Sequence, residues 1–147
     1  MKTTVGVPLD IVGYLKGMKI KPSLIRVKVL DYLIHKRNHP TADMIFKALA
    51  GEIPTLSKTS VYNTLKSFVL AGVAQEIKIE NTEVRYDVFT NVHGHFKCTV
   101  CGSVEDLKLD AYNITSDDLE GKKITEHHVY VLGFCSNCNK KKNKKNI

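Results

Sequence analysis

The feature that most constrains this chain is a pair of Cys-x2-Cys motifs in its C-terminal part. Cys98 and Cys101 form the first pair, Cys135 and Cys138 form the second, and 33 residues (102–134) separate them. Each Cys-x2-Cys turn places two sulfur atoms on one side of a tight knuckle. Four thiolates complete the tetrahedral shell of Zn2+ at about 2.3 Å. The spacing therefore predicts a structural zinc site that ties two distant segments together and leaves no open coordination position.

The same four cysteines would form two disulfides in a secreted protein, so the compartment matters. The first residues lack the order of charged, apolar and small residues that marks a signal peptide. No apolar run approaches the roughly 20 residues that span a bilayer. We therefore expect a cytoplasmic protein with bound zinc. A redox-active dithiol is the alternative, but it would be supported by a single Cys-x2-Cys at a helix start rather than by two.

The positive charge is distributed unevenly along the chain. The formal net charge is +7. Residues 1–90 contain 13 Lys and Arg against 8 Asp and Glu, which gives +5, and residues 91–147 contain 9 against 7, which gives +2. Five of those nine lysines lie between Lys140 and Lys145. The N-terminal part is therefore the better candidate for contact with nucleic acid.

The N-terminal part has the pattern of a winged helix-turn-helix. Apolar residues recur at helical spacing in successive segments, and the last two of these have suitable N-caps in Thr41 and Ser57. Two strand-like runs joined by a polar turn follow, Val73–Ile79 and Val84–Phe89. Helices followed by a β-hairpin predict a helix pair with a wing.

Beyond the hairpin the sequence predicts a small α/β domain, which makes the whole chain α+β. Strands are expected at Val104–Leu109 and Val129–Phe134, with a helix around Ala111–Leu119. The predicted organisation is a winged-helix DNA-binding domain over 1–89, a hinge at 90–92, an α/β dimerisation and metal-binding domain over 93–139, and a basic disordered tail over 140–147.

Two histidines precede the first cysteine pair. His93 and His95 share one face if the backbone is extended; taken singly, each would be interpreted as a surface or hydrogen-bonded histidine. The order of helix-turn-helix, wing, His-x-His and paired cysteines resembles the ferric uptake regulator (Fur) family of metal-dependent repressors, from about Gly17 to Cys138. The matching motifs are His39-Pro-Thr-Ala-Asp, Ser60-Val-Tyr-Asn-Thr-Leu, Arg85-Tyr-Asp87, His93-Gly-His95-Phe-Lys-Cys98-Thr-Val-Cys101-Gly, Val104-Glu-Asp106 and Cys135-Ser-Asn-Cys138.

Within this family the chain is most similar to the peroxide-sensing repressors (PerR). The resemblance implies a regulatory site for Fe2+ or Mn2+ formed by His39, Asp87, His93, His95 and Asp106. Three imidazoles and two carboxylates suit these ions better than Zn2+ and leave a sixth position for peroxide. Because the donors come from both predicted domains, one ion would hold the domains in a single orientation. The iron-uptake subgroup usually carries glutamate at the position of Asp87.

The helix that begins after Ser57 is the predicted DNA-reading element. Its polar face combines lysines for phosphate contacts with side chains that can reach base edges or a thymine methyl group. A solvated polar face without a DNA role is the alternative. The predicted DNA-binding residues are Lys58, Thr59, Ser60, Tyr62, Asn63, Lys66 and, more weakly, Arg26.

These features predict a dimeric transcriptional repressor of double-stranded operator DNA that senses peroxide. By resemblance, oxidation of His39 or His93 at bound iron removes a ligand and releases the DNA. A regulator of the same fold that senses iron or manganese availability is the first alternative. A metalloenzyme is the second, but no acid–base group or nucleophile stands beside the predicted ligands, and the basic helix-turn-helix would have no role.

Overall fold

The computed structural model describes residues 10–88, 93–109, 116–125 and 127–144, and it divides the chain into two compact units. Unit 1 covers Met1–Thr90 and unit 2 covers Asn91–Ile147. Each unit has its own secondary structure, and helices and small sheets together confirm the predicted α+β class. The predicted hinge at 90–92 lies outside the described residues. In the ranges described, no helix is long and apolar enough to cross a membrane.

The described residues of unit 1 form four helices, and each begins at a polar N-cap. They are α1 (Ile11–Gly17), α2 (Leu24–Lys36), α3 (Ala42–Leu49) and α4 (Lys58–Leu70). The Thr41 hydroxyl accepts the Met44 N–H at 3.2 Å, and the Ser57 hydroxyl accepts the Ser60 N–H at 3.0 Å. These bonds satisfy donors that the first helical turn leaves open. The two N-caps predicted from the sequence are confirmed.

The helices of unit 1 surround a continuous apolar core. Val29 and Leu30 of α2, Ile45 of α3, and Leu65 and Phe68 of α4 are all at most 1% exposed. The opposite face of α4 stays in solvent, so burial of its apolar side orients the helix. This arrangement presents the polar side of α4 outward.

The wing is a two-stranded antiparallel hairpin of β1 (Gln75–Ile77) and β2 (Arg85–Asp87). Both strands are shorter than the predicted runs. Val73 and Ala74 do not pair across the hairpin, because their N–H groups donate to the Phe68 carbonyl at 2.8 and 3.2 Å and their side chains lie in the core. At the other end, Phe89 lies outside the described residues.

The described residues of unit 2 include a three-stranded sheet in the order β4-β3-β5. Its strands are β3 (Gly94–Cys98), β4 (Val104–Leu107) and β5 (Tyr130–Gly133). Strand β3 pairs antiparallel with β4 and parallel with β5. A Cβ atom at Gly94 would lie 3.3 Å from the Val129 carbonyl oxygen, so glycine permits the close approach of these two segments.

Two sequence predictions for unit 2 need correction. Of the predicted helix Ala111–Leu119, residues 111–115 lie outside the described part, and Asp117–Leu119 form only a single 3-10 turn. The tail predicted as disordered from residue 140 is helical through Lys144, within α5 (Ser136–Lys144). The cause is that the second cysteine knuckle starts a helix, in which the Asn139 N–H donates to the Cys135 carbonyl at 2.8 Å.

Candidate metal sites and DNA-reading helix

The four cysteines of unit 2 come together at one end of the sheet. Their sulfur atoms all lie within 4.8 Å of one another. Strands β3 and β5 are parallel, with Cys98 paired to Gly133, so the residues that follow both strands meet at the same edge. The Cys101 and Cys135 sulfurs are 3.9 Å apart, and sulfurs at the corners of a zinc tetrahedron are separated by about 3.8 Å. The cluster therefore fits a closed site for one zinc ion.

The pKa values of Cys98 and Cys138 are shifted in opposite directions. Backbone N–H groups, first that of Cys101 and then that of Cys135, lower the pKa of Cys98 to about 6. A hydrogen bond with Cys135 raises the pKa of Cys138 to about 12. The Cys135 N–H lies 3.3 Å from the Cys98 sulfur. Four sulfurs this close cannot all hold negative charge by themselves, whereas a bound dication would offset the repulsion.

Three predicted regulatory donors also meet inside unit 2. The Nε2 atoms of His93 and His95 lie 3.2 and 3.3 Å from the same Oδ1 atom of Asp106. Register explains the contact, since His95 of β3 stands directly opposite Asp106 of β4. Neighbouring ligands with bonds of about 2.1 Å to one ion are roughly 3.0–3.4 Å apart. The spacing therefore suits joint coordination of a metal ion.

The other two predicted donors meet inside unit 1. His39 and Asp87 are 5% and 6% exposed, and each offers a ligand atom within 4.8 Å of the other's. Asp87 ends β2, opposite Gln75 of β1, whose amide donates to its carboxylate at 3.5 Å. The Tyr86 N–H donates to the Pro40 carbonyl at 3.0 Å, which places the segment before α3 alongside β2.

The main chain at His39 is strained. Its φ is +48°, in the left-handed region that residues with a Cβ atom rarely adopt. Such a conformation costs on the order of 1–3 kcal/mol and persists only where surrounding contacts enforce it. One such contact comes from Arg85, whose Nη1 donates to the His39 carbonyl at 3.0 Å. The same guanidinium donates through Nε to Glu80 at 2.7 Å.

The polar face of α4 is exposed as predicted for most of its residues. Lys58, Thr59, Tyr62, Asn63 and Lys66 all lie in solvent. Three members of the predicted set already have a partner within the protein, and one of them is Lys58, which pairs with Asp43. The Ser60 hydroxyl takes part in the N-cap and donates to the Ser57 carbonyl at 2.8 Å, and half-buried Arg26 donates to the Lys21 carbonyl at 2.7 Å.

Sequence reasoning missed two groups beside these sites. Asp43 of α3 binds both Lys58 and Lys47, at 2.9 and 2.7 Å, and the contact with Lys47 contributes most to lowering the pKa of Asp43. The other group is the pair of Arg85 and Glu80. Arg85 stands two residues before a predicted donor, which was a usable signal, whereas the position of Glu80 depends on the conformation of the wing turn.

Comparison with known proteins gives a consistent assignment. The peroxide operon regulator of Bacillus subtilis (strain 168) is 35% identical over 130 residues, which cover 86% of this chain and 88% of that protein. A solved structure of PerR from Streptococcus pyogenes, a protein described in terms of peroxide sensing and gene regulation, is 31% identical in sequence. Its TM-score is 0.50, over 87% of this chain and 90% of that one. The Vibrio cholerae ferric uptake regulator (Fur) shares the fold, with a TM-score of 0.65 at 24% identity over 86% of this chain and 100% of that one.

The family profile described as "Ferric uptake regulator family" matches residues 16–134. This family comprises transcriptional regulators, which sets aside the metalloenzyme alternative. The match spans both units, including the helix-turn-helix, the wing, the His-x-His segment and the first cysteine pair. This chain therefore belongs to the ferric uptake regulator family.

Proposed function

We propose that this protein is a cytoplasmic, dimeric, metal-dependent repressor that senses peroxide through oxidation of an iron-coordinating histidine. The observation that carries the proposal is the convergence of His93 and His95 on one oxygen of Asp106. That arrangement suits a metal ion inside unit 2. The 35% identity with a protein named peroxide operon regulator supports peroxide as the signal.

The proposed regulatory ion is Fe2+ or Mn2+, and its donors in this sequence are His39, Asp87, His93, His95 and Asp106. Nitrogen and carboxylate donors without sulfur favour these ions over zinc. When bound, Fe2+ supplies the electron that activates peroxide, whereas Mn2+ reacts poorly. The role of the chain is to hold His39 or His93 as the imidazole that receives oxygen.

Loss of one imidazole donor would weaken the DNA-binding state. A bound ion shifts a conformational equilibrium only by its preference for one state. His39 lies directly before Thr41, the N-cap of α3, and its neighbour Pro40 is bonded to β2. Oxidation at His39 would therefore act on a segment that joins the helix-turn-helix to the wing.

The four cysteines are proposed to hold Zn2+ permanently in a structural role. Cys98, Cys101, Cys135 and Cys138 supply a complete sulfur shell, which leaves no position for substrate. The mutual proximity of the sulfurs supports this assignment. Zinc would then join β3, the following turn, and the start of α5.

The proposed DNA-reading element is α4. Tyr62 and Asn63 would reach base edges in the major groove, while Lys58 and Lys66 would contact phosphates. Their exposure supports this role. A two-fold operator requires two such helices, one from each subunit of a homodimer.

The surface proposed for dimerisation is the β5 edge of the sheet in unit 2. Strand β5 is terminal in the strand order, and Val131, Leu132 and Phe134 are 43%, 58% and 44% exposed. An edge strand with exposed apolar side chains is a liability unless a partner covers it. A second copy of this chain is the proposed partner.

Mass spectrometry of the iron-loaded protein after peroxide treatment tests the sensor. We expect one oxygen atom to be added to the peptide that contains His39 or His93, with loss of operator binding in a mobility-shift assay. Protein loaded with Mn2+ is the control and should remain unmodified and DNA-bound. If iron-loaded protein gains no oxygen yet binds DNA only with metal, the protein senses iron or manganese availability instead.

A further inference from the structure

An ion pair in the wing is withdrawn from solvent. The Arg85 and Glu80 side chains are only 14% and 13% exposed, and Nε and Oε1 are 2.7 Å apart. The pair of Lys28 and Glu52, also in unit 1, is 41% and 59% exposed. Removing two charges from water costs much of what their attraction returns, so a buried pair is a weak source of stability. The pair therefore contributes more through the part of the main chain that it holds in place than through its own attraction.

Arg85 holds the main chain at His39. Nη1 of Arg85 donates to the His39 carbonyl at 3.0 Å while Nε is fixed by Glu80. The guanidinium is planar, so anchoring one nitrogen sets the direction of the others. A β-bridge between Thr41 and Arg85 lies next to this contact. The segment before α3 is thereby attached to β2 at successive residues.

The contact acts on a residue that needs outside support. The left-handed backbone of His39, with φ +48°, is unfavourable for a residue with a Cβ atom. Arg85 and Asp87 are two apart on β2 and therefore face the same side of the strand. His39 and Asp87 offer ligand atoms within 4.8 Å of each other. One short strand thus carries both a donor and the residue that restrains the other donor.

We propose that Arg85, oriented by Glu80, is a positioning residue for the regulatory metal. It fixes the His39 main chain so that the imidazole stays beside the Asp87 carboxylate before any ion arrives. This inference rests on the proposed function, because it assumes that His39 and Asp87 are donors. It adds that the wing sets metal affinity through Arg85.

Titration of Mn2+ into the zinc-replete, full-length protein tests the inference. Arg85→Gln removes the positive charge and the pair of guanidinium nitrogens that bond Glu80 and the His39 carbonyl. We expect Mn2+ affinity to fall about 10- to 100-fold, as for other residues that orient a metal ligand. Lys78→Gln is the matched control, because it breaks the exposed wing pair with Glu76 at 3.4 Å. The control should bind Mn2+ as the wild type does. Zinc content and helical circular dichroism should be unchanged in both variants.

A double-mutant cycle with His39→Ala separates positioning from general destabilisation. If Arg85 acts through His39, Arg85→Gln should weaken Mn2+ binding much less in the His39→Ala background than in the wild type. An equal loss in both backgrounds would overturn the inference. Should Arg85→Gln fail to fold, Arg85→Lys can be used in the same cycle. It keeps a cation beside Glu80 but has a single nitrogen in place of the planar guanidinium.

The outcomes distinguish this inference from the proposed function. Wild-type Mn2+ affinity in folded Arg85→Gln overturns the positioning role and leaves the regulatory site standing. A wild-type protein that binds no Mn2+ overturns both. If Arg85→Gln weakens Mn2+ binding through His39, but peroxide adds no oxygen to the iron-loaded wild type, positioning is supported and peroxide sensing is rejected.

Discussion

Each of the two units is stabilised internally by a different kind of interaction. Nearly all buried apolar side chains among the described residues belong to unit 1, where Leu30, Leu65 and Phe68 are at most 1% exposed. Unit 2 contributes only Cys98 and Val104 to the buried apolar residues of that part of the chain. Unit 1 therefore has the apolar burial that drives folding, whereas unit 2 has a sheet, a sulfur cluster and uncovered apolar residues.

Size explains why unit 2 needs additional support. It spans residues 91–147, and a domain of about 60 residues buries too little surface to be more than marginally stable. Small domains commonly gain the missing stability from a metal or from a second subunit. The cysteine cluster and the exposed β5 edge are the features of unit 2 that would serve these purposes. Metal removal should therefore affect the two units very differently.

The largest expected effect is unfolding of unit 2 when the proposed zinc site is removed. Cys98→Ser should abolish zinc binding and unfold unit 2, because structural zinc contributes about 10–16 kcal/mol of binding free energy at neutral pH. Hydrogen exchange should show complete loss of protection in β3, β4 and β5, while α2 and α4 remain protected. Zinc content measured on the same sample checks the cause.

Val100→Ser is the control for this experiment. Val100 lies between Cys98 and Cys101 in the same knuckle, but its side chain is 63% exposed and supplies no ligand. We expect full zinc content and protected strands in this variant. Unfolding of α2 and α4 along with the sheet in Cys98→Ser would contradict the independence of unit 1.

A core truncation in unit 1 should have the next largest effect and leave zinc in place. Phe68 is fully buried, and Phe68→Ala should cost about 3–5 kcal/mol through lost burial and a cavity. Thermal unfolding followed by helical circular dichroism measures the loss. Leu70→Ala, on the same helix at 80% exposure, should change stability little. Release of zinc by Phe68→Ala would show that the units do not fold independently.

How far the sequence could predict this structure depends on the range of the interactions involved. The N-caps Thr41 and Ser57 were predictable because each bonds an N–H only three residues away. The true start of β1 was not predictable from the sequence, because the side chains of Val73 and Ala74 lie in the core and their N–H groups donate to a carbonyl of α4. Local signals identify helix starts, whereas tertiary packing decides where short strands begin.

The candidate sites follow the same rule. Motif spacing predicted the cysteine cluster, and the family resemblance predicted the candidate donors of the regulatory site. The bond from Arg85 to the His39 carbonyl joins residues 46 positions apart, and no spacing rule predicts such a contact. Composition was also a poor guide to the tail, for which it suggested disorder. The ammonium of Lys142 lies 4.2 Å from the Phe134 ring centroid, a contact that composition does not indicate. Residues that orient ligands are therefore harder to find from sequence than the ligands themselves.

A smaller effect, confined to unit 1, is expected from removal of a helix cap. Ser57→Ala should cost about 1 kcal/mol, because it leaves the Ser60 N–H without the hydroxyl that it now bonds at 3.0 Å. The midpoint of chemical denaturation of unit 1 measures this loss. Thr55→Ala removes an exposed hydroxyl in the preceding turn and is the matched control. An equal loss in both variants would show that the cap contributes nothing specific.

The smallest expected effect concerns Asp43, and it depends on pH. Lys47 first, and then Lys58, hold the pKa of Asp43 below its ordinary value of 3.8. A carboxylate whose pKa is lowered by folding stabilises the folded state above its ordinary pKa and loses that contribution as pH falls through the lowered value. The contribution is small because both lysines are exposed and screened by water.

Asp43→Asn should therefore be slightly less stable than the wild type at neutral pH, and the difference should shrink as acid protonates the wild-type carboxylate. High salt should shrink it as well, because the interacting charges are at the surface. Chemical denaturation of unit 1 at several pH values measures both trends. A difference that persists unchanged in acid and in high salt would show that the effect of Asp43 does not come from its negative charge. Zinc content of unit 2 should be the same in both proteins at neutral pH, since Asp43 belongs to the unit that folds through its core.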